Sequence, residues 1–414
     1  MVHTHLTRRL WLRAAALGGG TVLGLPGCSV APPPTTPIPN PAAASHAAAA
    51  TPRLRVIGEA TLPHGLRFAD TVVGGLSGLD YDPARDLWYA LSDDRAQRSP
   101  ARFYTLRLPL SATAIGSPEL LGVTLLRQSD GSPFPGRTAA PQGAAAPALE
   151  IPDPEAIRYR PRTGTVLWTS EGDAGHGLDP ALFEAGPDGR LLRRFALPAE
   201  LHVDPAGRTG PRNNLAFEGL ALTPDGASTW VAMENALRQD GPVPTHEAAG
   251  GPCRFTRFAL SSGQATAQRA YIPDAIPFAA PHPGAAADNG VSEILALDTD
   301  RLLVLERAYV AGRGNSLRLY LVDTRRGSDT LGLPALREGG YAPLPKTLVA
   351  DFAAFTGPGD GARLARLDNT EGMAWGPRLP SAAARPGART LVFVSDDNFN
   401  PRQVTQFVAF EFLE

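Results

Sequence analysis

Carboxylates recur in this chain inside one local phrase, at a spacing that a shared site would need. Four copies read Asp153-Pro154-Glu155-Ala156-Ile157, Phe217-Glu218-Gly219-Leu220-Ala221, Ser292-Glu293-Ile294-Leu295-Ala296 and Thr370-Glu371-Gly372-Met373-Ala374. A fifth, Leu76-Ser77-Gly78-Leu79-Asp80, has Ser in place of Glu. Each copy leads through a turn and an apolar run into a second polar cluster: Ser92-Asp93-Asp94, Ser170-Glu171-Gly172-Asp173, Met233-Glu234-Asn235, Glu306-Arg307 and Ser395-Asp396-Asp397-Asn398. Oxygen-rich side chains gathered from several repeats can hold a hard cation, or can pass protons once crowding has shifted their pKa values. Zinc chemistry has no such support, because there are only two Cys and the eight His are scattered. His176, in the loop after Glu171, is the His that motif placement brings nearest to such a site.

The elements that must position these groups are short. After the N-terminal segment the chain shows apolar runs broken by Gly, Pro and Asp turns, with no long helical period. The clearest hairpin runs through residues 219–222, the turn Thr223-Pro224-Asp225-Gly226 and residues 228–233. Pro sets the turn's φ and Gly supplies its positive φ. Two further strands can be read after most hairpins: 102–107 and 120–126, 182–185 and 191–196, 254–260 and 265–272, 317–322 and 347–351. The fifth unit has only 404–412, while 53–62 is left over ahead of the first. This predicts an all-β protein, a β-propeller of five blades closed by pairing of the N- and C-terminal strands. Long inter-repeat spacing leaves a sixth blade open as an alternative.

In a propeller the first strand of each blade lines the central channel and the second runs antiparallel beside it. The start of one and the end of the other then share a mouth. This predicts that Glu155 and Glu171, Glu218 and Glu234, Glu293 and Glu306, and Glu371 and Asp396 converge there. Asp93, Asp94, Asn235 and Asp397 would join them as metal ligands. Glu155, Glu218, Glu293 and Glu371, with His176, are the candidate catalytic groups, and Arg158, Arg212 and Arg307 the candidate contacts for an anionic substrate. So many carboxylates in a confined space call for a compensating cation, and calcium, with about 6–8 loosely arranged oxygen ligands, suits the donor types. A competing reading is that each Glu accepts backbone N–H bonds from a neighbouring blade and holds the ring together.

The N-terminus reads as an address. Thr7-Arg8-Arg9-Leu10-Trp11-Leu12-Arg13 is similar to a twin-arginine export motif, and Leu25-Pro26-Gly27-Cys28 to a lipobox whose Cys28 would be lipidated; a plain cleaved signal peptide is the alternative. The apolar stretch between them falls short of the ~20 residues of a spanning helix. Residues 29–52 are Ala, Pro, Thr and Ser-rich, a tether without core-forming capacity, and residues 53–414 form the folded domain. With Cys28 as anchor, Cys253 has no partner for a disulfide. Three of the 39 basic residues precede Cys28, leaving 36 against 41 acidic, a net of −5. There is no basic stripe with interleaved aromatics, so nucleic acid is not an expected partner. The expectation is an exported monomer, periplasmic or membrane-anchored, touching the membrane only through its lipid.

These motifs together resemble the phytase-like family described by an esterase-like activity of phytase. The resemblance runs from about Gly75 to the C-terminus. It is carried by Gly75-Leu76-Ser77-Gly78-Leu79, Asp153-Pro154-Glu155-Ala156, Ser170-Glu171-Gly172, residues 213–219, Glu234-Asn235, Ser292-Glu293-Ile294-Leu295, Leu305-Glu306-Arg307, Asp368-Asn369-Thr370-Glu371-Gly372, Ser395-Asp396-Asp397-Asn398-Phe399 and Gln406-Phe407. It implies a propeller with recurrent acids, and β-propeller phytases use calcium ions to hold substrate phosphates and activate water. The leading expectation is therefore a calcium-dependent phosphoric-ester hydrolase of the cell envelope. A lactonase or carboxylic-ester hydrolase on the same scaffold, and a non-catalytic ligand- or partner-binding propeller, stay open. The esterase label lacks a Gly-x-Ser-x-Gly elbow: Gly75-Leu76-Ser77-Gly78 is one residue short.

Overall fold

The computed structural model describes residues 51–136, 150–337, 339–357, 363–380 and 388–414. The expected export signal, Cys28 and the tether up to residue 50 lie outside them. Among the described residues no α-helix occurs, and short 3-10 turns are the only helical pieces. Strand β1 (Arg53–Leu62) is followed by a small hairpin of β2 (Arg67–Phe68) and β3 (Thr71–Val72). Blade one holds β4 (Leu76–Asp82), β5 (Leu87–Ser92), β6 (Arg102–Arg107) and β7 (Glu119–Leu125). Blade two holds β8 (Pro154–Arg160), β9 (Thr165–Ser170), β10 (Ala181–Ala185) and β11 (Leu191–Arg194). Blade three holds β12 (Phe217–Leu222), β13 (Ser228–Met233), β14 (Cys253–Ala259) and β15 (Ala265–Tyr271). Blade four holds β16 (Ala287–Ala296), β17 (Arg301–Val310), β18 (Gly314–Asp323) and β19 (Lys346–Asp351). Blade five is β20 (Thr370–Leu379), β21 (Ala388–Ser395) and β22 (Thr405–Leu413), completed by β1.

The protein is a five-bladed β-propeller, and no sixth blade appears among the described residues. Antiparallel pairing from Arg53↔Leu413 to Leu62↔Thr405 closes the ring, so the last blade is not left with a bare edge. The inner strands β4, β8, β12, β16 and β20 touch one another in circular order. Blades are held face to face by apolar side chains. Leu79, Trp88 and Tyr104 of blade one meet Val392, Val394 and Phe407 of blade five. Tyr89 and Phe103 meet Trp168 and Phe183 of blade two, while Leu167, Phe217, Trp230 and Ile294 join blades two to four. Each fully buried large side chain contributes roughly 1.5–3 kcal/mol relative to exposure, and no blade completes its core without its neighbours.

All five inner strands carry a β-bulge, near the start of β4, β8, β12 and β20 and midway along β16. Ser77, Glu155-Ala156, Glu218-Gly219, Ser292 and Glu371 fall at these irregularities. A bulge leaves residues outside the ladder and re-aims their side chains. It also needs room: a Cβ at Gly219 would lie 2.7 Å from Ile294 N, and one at Gly372 2.8 Å from Ser77 O. Glycine therefore lets neighbouring inner strands approach beside the motif acids.

Candidate functional site

The bulges set a common register. Leu76 pairs with Ser92, Pro154 with Ser170, Phe217 with Met233, Val291 with Glu306 and Thr370 with Ser395. Blade by blade, the inner strand presents Ser77, Glu155, Glu218, Ser292 and Glu371 just past these pairs, and along the second strand the residue after each pair is Asp93, Glu171, Glu234, Arg307 and Asp396. The three glutamates and these five second-strand residues line one cavity of about 290 Å3, together with Arg95, Asn214, Asn398 and Phe399. The two serines bind backbone: Ser77 Oγ donates to Glu155 O at 2.7 Å, and Ser292 Oγ to Thr370 O at 3.3 Å.

Burial and mutual repulsion dominate this mouth. Burial, then the neighbouring Glu218, pushes Glu155 well above the usual carboxylate range. Glu171 rises through burial, Asp153 and Glu234, and Glu218 through burial and Glu234. Asp93 and Asp396 are raised likewise, with Asp396 acting on the first and Glu371 on the second. Burial lifts Glu234 to about 8 against the pull of Arg307, and Asp153 to about 6 against Arg95. Glu371 is raised by burial while Arg307 and Asn369 hold it down.

Two guanidinium groups relieve part of the repulsion. Arg95 Nε donates to Asp153 Oδ1 at 2.5 Å, and its Nη2 donates to Asn214 Oδ1 at 2.7 Å and lies 3.6 Å from Glu171 Oε2. Arg307 reaches Glu234 and Glu371 at 3.7 and 3.6 Å. What they leave is concentrated at Glu171. One oxygen each from Asp153, Glu155 and Glu171, and again from Glu171, Glu218 and Glu234, lie within 4.8 Å of one another. Asp153 Oδ2 is buried and receives no hydrogen bond. An all-oxygen set with an orphaned carboxylate oxygen fits a hard divalent cation.

The sequence model of the family described as Phytase-like: Esterase-like activity of phytase matches residues 71–399, most of the chain and all of this mouth. The chain belongs to this phytase-like family. Membership supports a hydrolase. No curated protein matches the chain in sequence. Among solved structures, a gluconolactonase from Xanthomonas campestris is 12% identical, with 87% of this chain and 94% of that one covered at a TM-score of 0.30. A GH43 β-1,3-galactosidase with galactodeoxynojirimycin is 10% identical, with 84% and 94% covered at a TM-score of 0.41. The five-bladed architecture rests on the strand pairing of this phytase-like chain itself.

Several expected residues lie elsewhere in the phytase-like ring. Glu293 and Glu306 do not face the mouth, because blade four runs one residue out of phase with the motif. Ser292 takes the bulge position and Arg307 the place after the register pair on the second strand. Glu293 is fully buried, 2.9 Å from Arg158 Nη2, and its Oε1 accepts from Leu220 N and Ile294 N at 2.8 and 2.9 Å. Burial lifts it to about 7, with Arg158 opposing. Arg158 is not at the mouth either. It donates to the carbonyls of Leu79, Ile157, Ile294 and Met373, so this pair ties all five inner strands together. Glu306 accepts from Tyr271 Oη, Lys346 Nζ, Asn289 Nδ2 and Asp274 N.

The remaining displaced residues hold loops and seams. Asp94 lines the mouth, but its oxygens are taken by the N–H groups of Gln97, Arg98 and Ser99 and by buried Arg102. Asp397 accepts from Gly75 N and Phe399 N. Asn235 Nδ2 donates to Asn289 O across a blade seam. Arg212 braces a loop through the carbonyls of Ala236 and Gly241. His176 pairs with Asp173 on an exposed turn at 2.9 Å. The backbone-binding reading is right in part, since Glu171 Oε1 also accepts from Ala216 N at 2.8 Å. Sequence reasoning missed Asp153, Arg95 and Asn214 as site residues. Asp153 was visible in the motif beside Glu155, whereas nothing local marks Arg95. Ser77 is not a triad nucleophile: its hydroxyl is committed to a carbonyl, and among the described residues no His lines the mouth.

Proposed function

We propose that the protein is a divalent-cation-dependent hydrolase of phosphoric esters, with calcium as the cation and the acidic propeller mouth as the active site. The single observation that carries this reading is the pair of carboxylate triads sharing Glu171. Asp153, Glu155, Glu171, Glu218 and Glu234 would hold the cation. Bound there, it supplies positive charge for anionic ester oxygens and acidifies a water. Arg95 and Arg307, already in the cavity lining, are placed to meet phosphate oxygens through charge-assisted hydrogen bonds. Glu371, Asp93 and Asp396 line the same cavity with raised proton affinity, which suits them to accept or deliver a proton.

The test is hydrolysis of phytate and p-nitrophenyl phosphate by the EDTA-stripped protein, with and without added calcium. Activity should depend on calcium, and Glu171→Gln should lower it by at least about tenfold, the loss of ~1.4 kcal/mol or more. Turnover indifferent to chelation or to that substitution overturns the reading. Calcium-dependent opening of lactones without phosphate release would move it to the lactonase alternative.

A further inference from the structure

Blade four departs from the ring's pattern at both of its mouth positions. It places Ser292 at the bulge and Arg307 at the second-strand position after the register pair, where the other four blades place Asp93, Glu171, Glu234 and Asp396. The Arg307 side chain is 14% exposed, and it reaches one acid of each flanking blade: its Nη2 lies 3.7 Å from Glu234 Oε1 and 3.6 Å from Glu371 Oε1. Its cross-strand partner is Gly290, where a Cβ would lie 2.7 Å from Glu234 Oε1, so the backbone is cut back to let that acid in. Arg307 Nε remains a buried donor without a partner. Among the described residues, both carboxylate triads belong to blades two and three, and neither includes Glu371 or Asp396.

We propose that Arg307 is a tethered cation standing where a metal ion would otherwise sit. The mouth is thereby divided into a metal-binding half at blades two and three and a metal-free half at blades four and five. This inference rests on reading the mouth as a cation-binding site. A guanidinium between Glu234 and Glu371 supplies the charge that a divalent ion would bring, without dissociating, and its planar fork suits paired carboxylates. Arg307 also lines the cavity, so the accessible edge of its guanidinium offers a second use, a fixed contact for an anionic oxygen on the side opposite the bound cation.

Calcium stoichiometry decides the matter. The EDTA-stripped full chain is titrated with calcium by calorimetry as wild type, Arg307→Lys, Arg307→Glu and Arg307→Gln, with circular dichroism and melting as folding controls. Arg307→Glu should bind one more calcium ion per chain than wild type, because three acids from three blades then face one another. Arg307→Lys should keep the wild-type number. Arg307→Gln, which removes the positive charge without adding an acid, should also gain an ion, more weakly. Folded Glu and Gln variants that both keep the wild-type stoichiometry overturn the inference, while calcium-dependent phosphate release by wild type would still support the proposed hydrolase. A wild type that binds no calcium, with an Arg307→Glu variant that binds one, keeps Arg307 as a tethered cation but overturns the metal-binding half at blades two and three, and the hydrolase reading with it.

Discussion

Arg158 and Glu293 form the most heavily shared contact among the inner strands. The guanidinium is 2% exposed and the carboxylate fully buried, yet their backbone partners come from β4, β8, β12, β16 and β20. Removing one member of a buried ion pair leaves an uncompensated charge and costs about 3–5 kcal/mol, whereas replacing both by apolar groups costs far less. Glu293→Ala should therefore lower stability by about 3–5 kcal/mol in urea denaturation. The double variant Arg158→Met, Glu293→Leu should recover much of that loss. Hydrolysis per folded molecule should persist in both. Glu171→Gln should show the opposite pattern, with little loss of stability and a large loss of cation binding, because the shared acid of the two triads becomes neutral. A Glu293 variant that stays stable but loses catalysis would return this residue to the active site.

At the scale of the strand, the bulge turns an ordinary blade into a site. A regular β4, β8, β12 or β20 would alternate its side chains strictly between the two faces. The bulge instead releases the motif residue toward the channel mouth, and the adjoining small residue brings the next blade's backbone close. Gly219 is the tightest of these approaches, since a Cβ there would meet Ile294 N at 2.7 Å, Glu293 C at 3.0 Å and Ile294 Cγ1 at 3.0 Å. Two of those three contacts are with backbone, which cannot swing aside. Gly219→Ala should cost about 1–3 kcal/mol of stability, as overpacking typically does, and should weaken calcium binding by displacing Glu218. A variant with wild-type melting and wild-type calcium affinity would show that the close approach is not what places the acid.

At the scale of the whole ring, closure by β1 and β22 makes the mouth a rigid enclosure in which acids from four blades are forced together. Their folded-state pKa values stand above the ordinary ones. Asp153 is raised from 3.8 to about 6 and Glu234 from 4.5 to about 8, and Glu155, Glu171 and Glu218 move in the same direction. A carboxyl with a raised folded pKa binds its proton more tightly folded than unfolded. Its stabilising contribution is complete below the unfolded pKa and is lost as pH rises through the folded value. In EDTA the melting temperature should fall between pH 5.5 and pH 8.5. With calcium the fall should be much shallower, because the bound cation replaces the protons and stabilises the folded state by mass action. Equal pH slopes with and without calcium would mean that the mouth does not take the ion.

Repetition of the motif pointed to five blades, with a sixth left open, and to their hairpins and closing strand, because a strand-turn-strand unit with a half-apolar pattern can bury itself only against copies of itself. Residues 53–62 and 102–107, read as strands, are β1 and β6 to the residue. Glu155, Glu218 and Glu371 were equally legible as members of one rim, as were their partners Glu171, Glu234 and Asp396. Blade four was not. Glu293 and Glu306 fit the motif by eye, but side chains on a strand alternate with period two, and a slip of one residue exchanges the two faces. The sequence determined how many acids the ring could offer. Only the tertiary pairing of β16 with β17 decided that blade four offers Ser292 and Arg307 to the mouth, and that Arg95, reaching in from a loop, joins them.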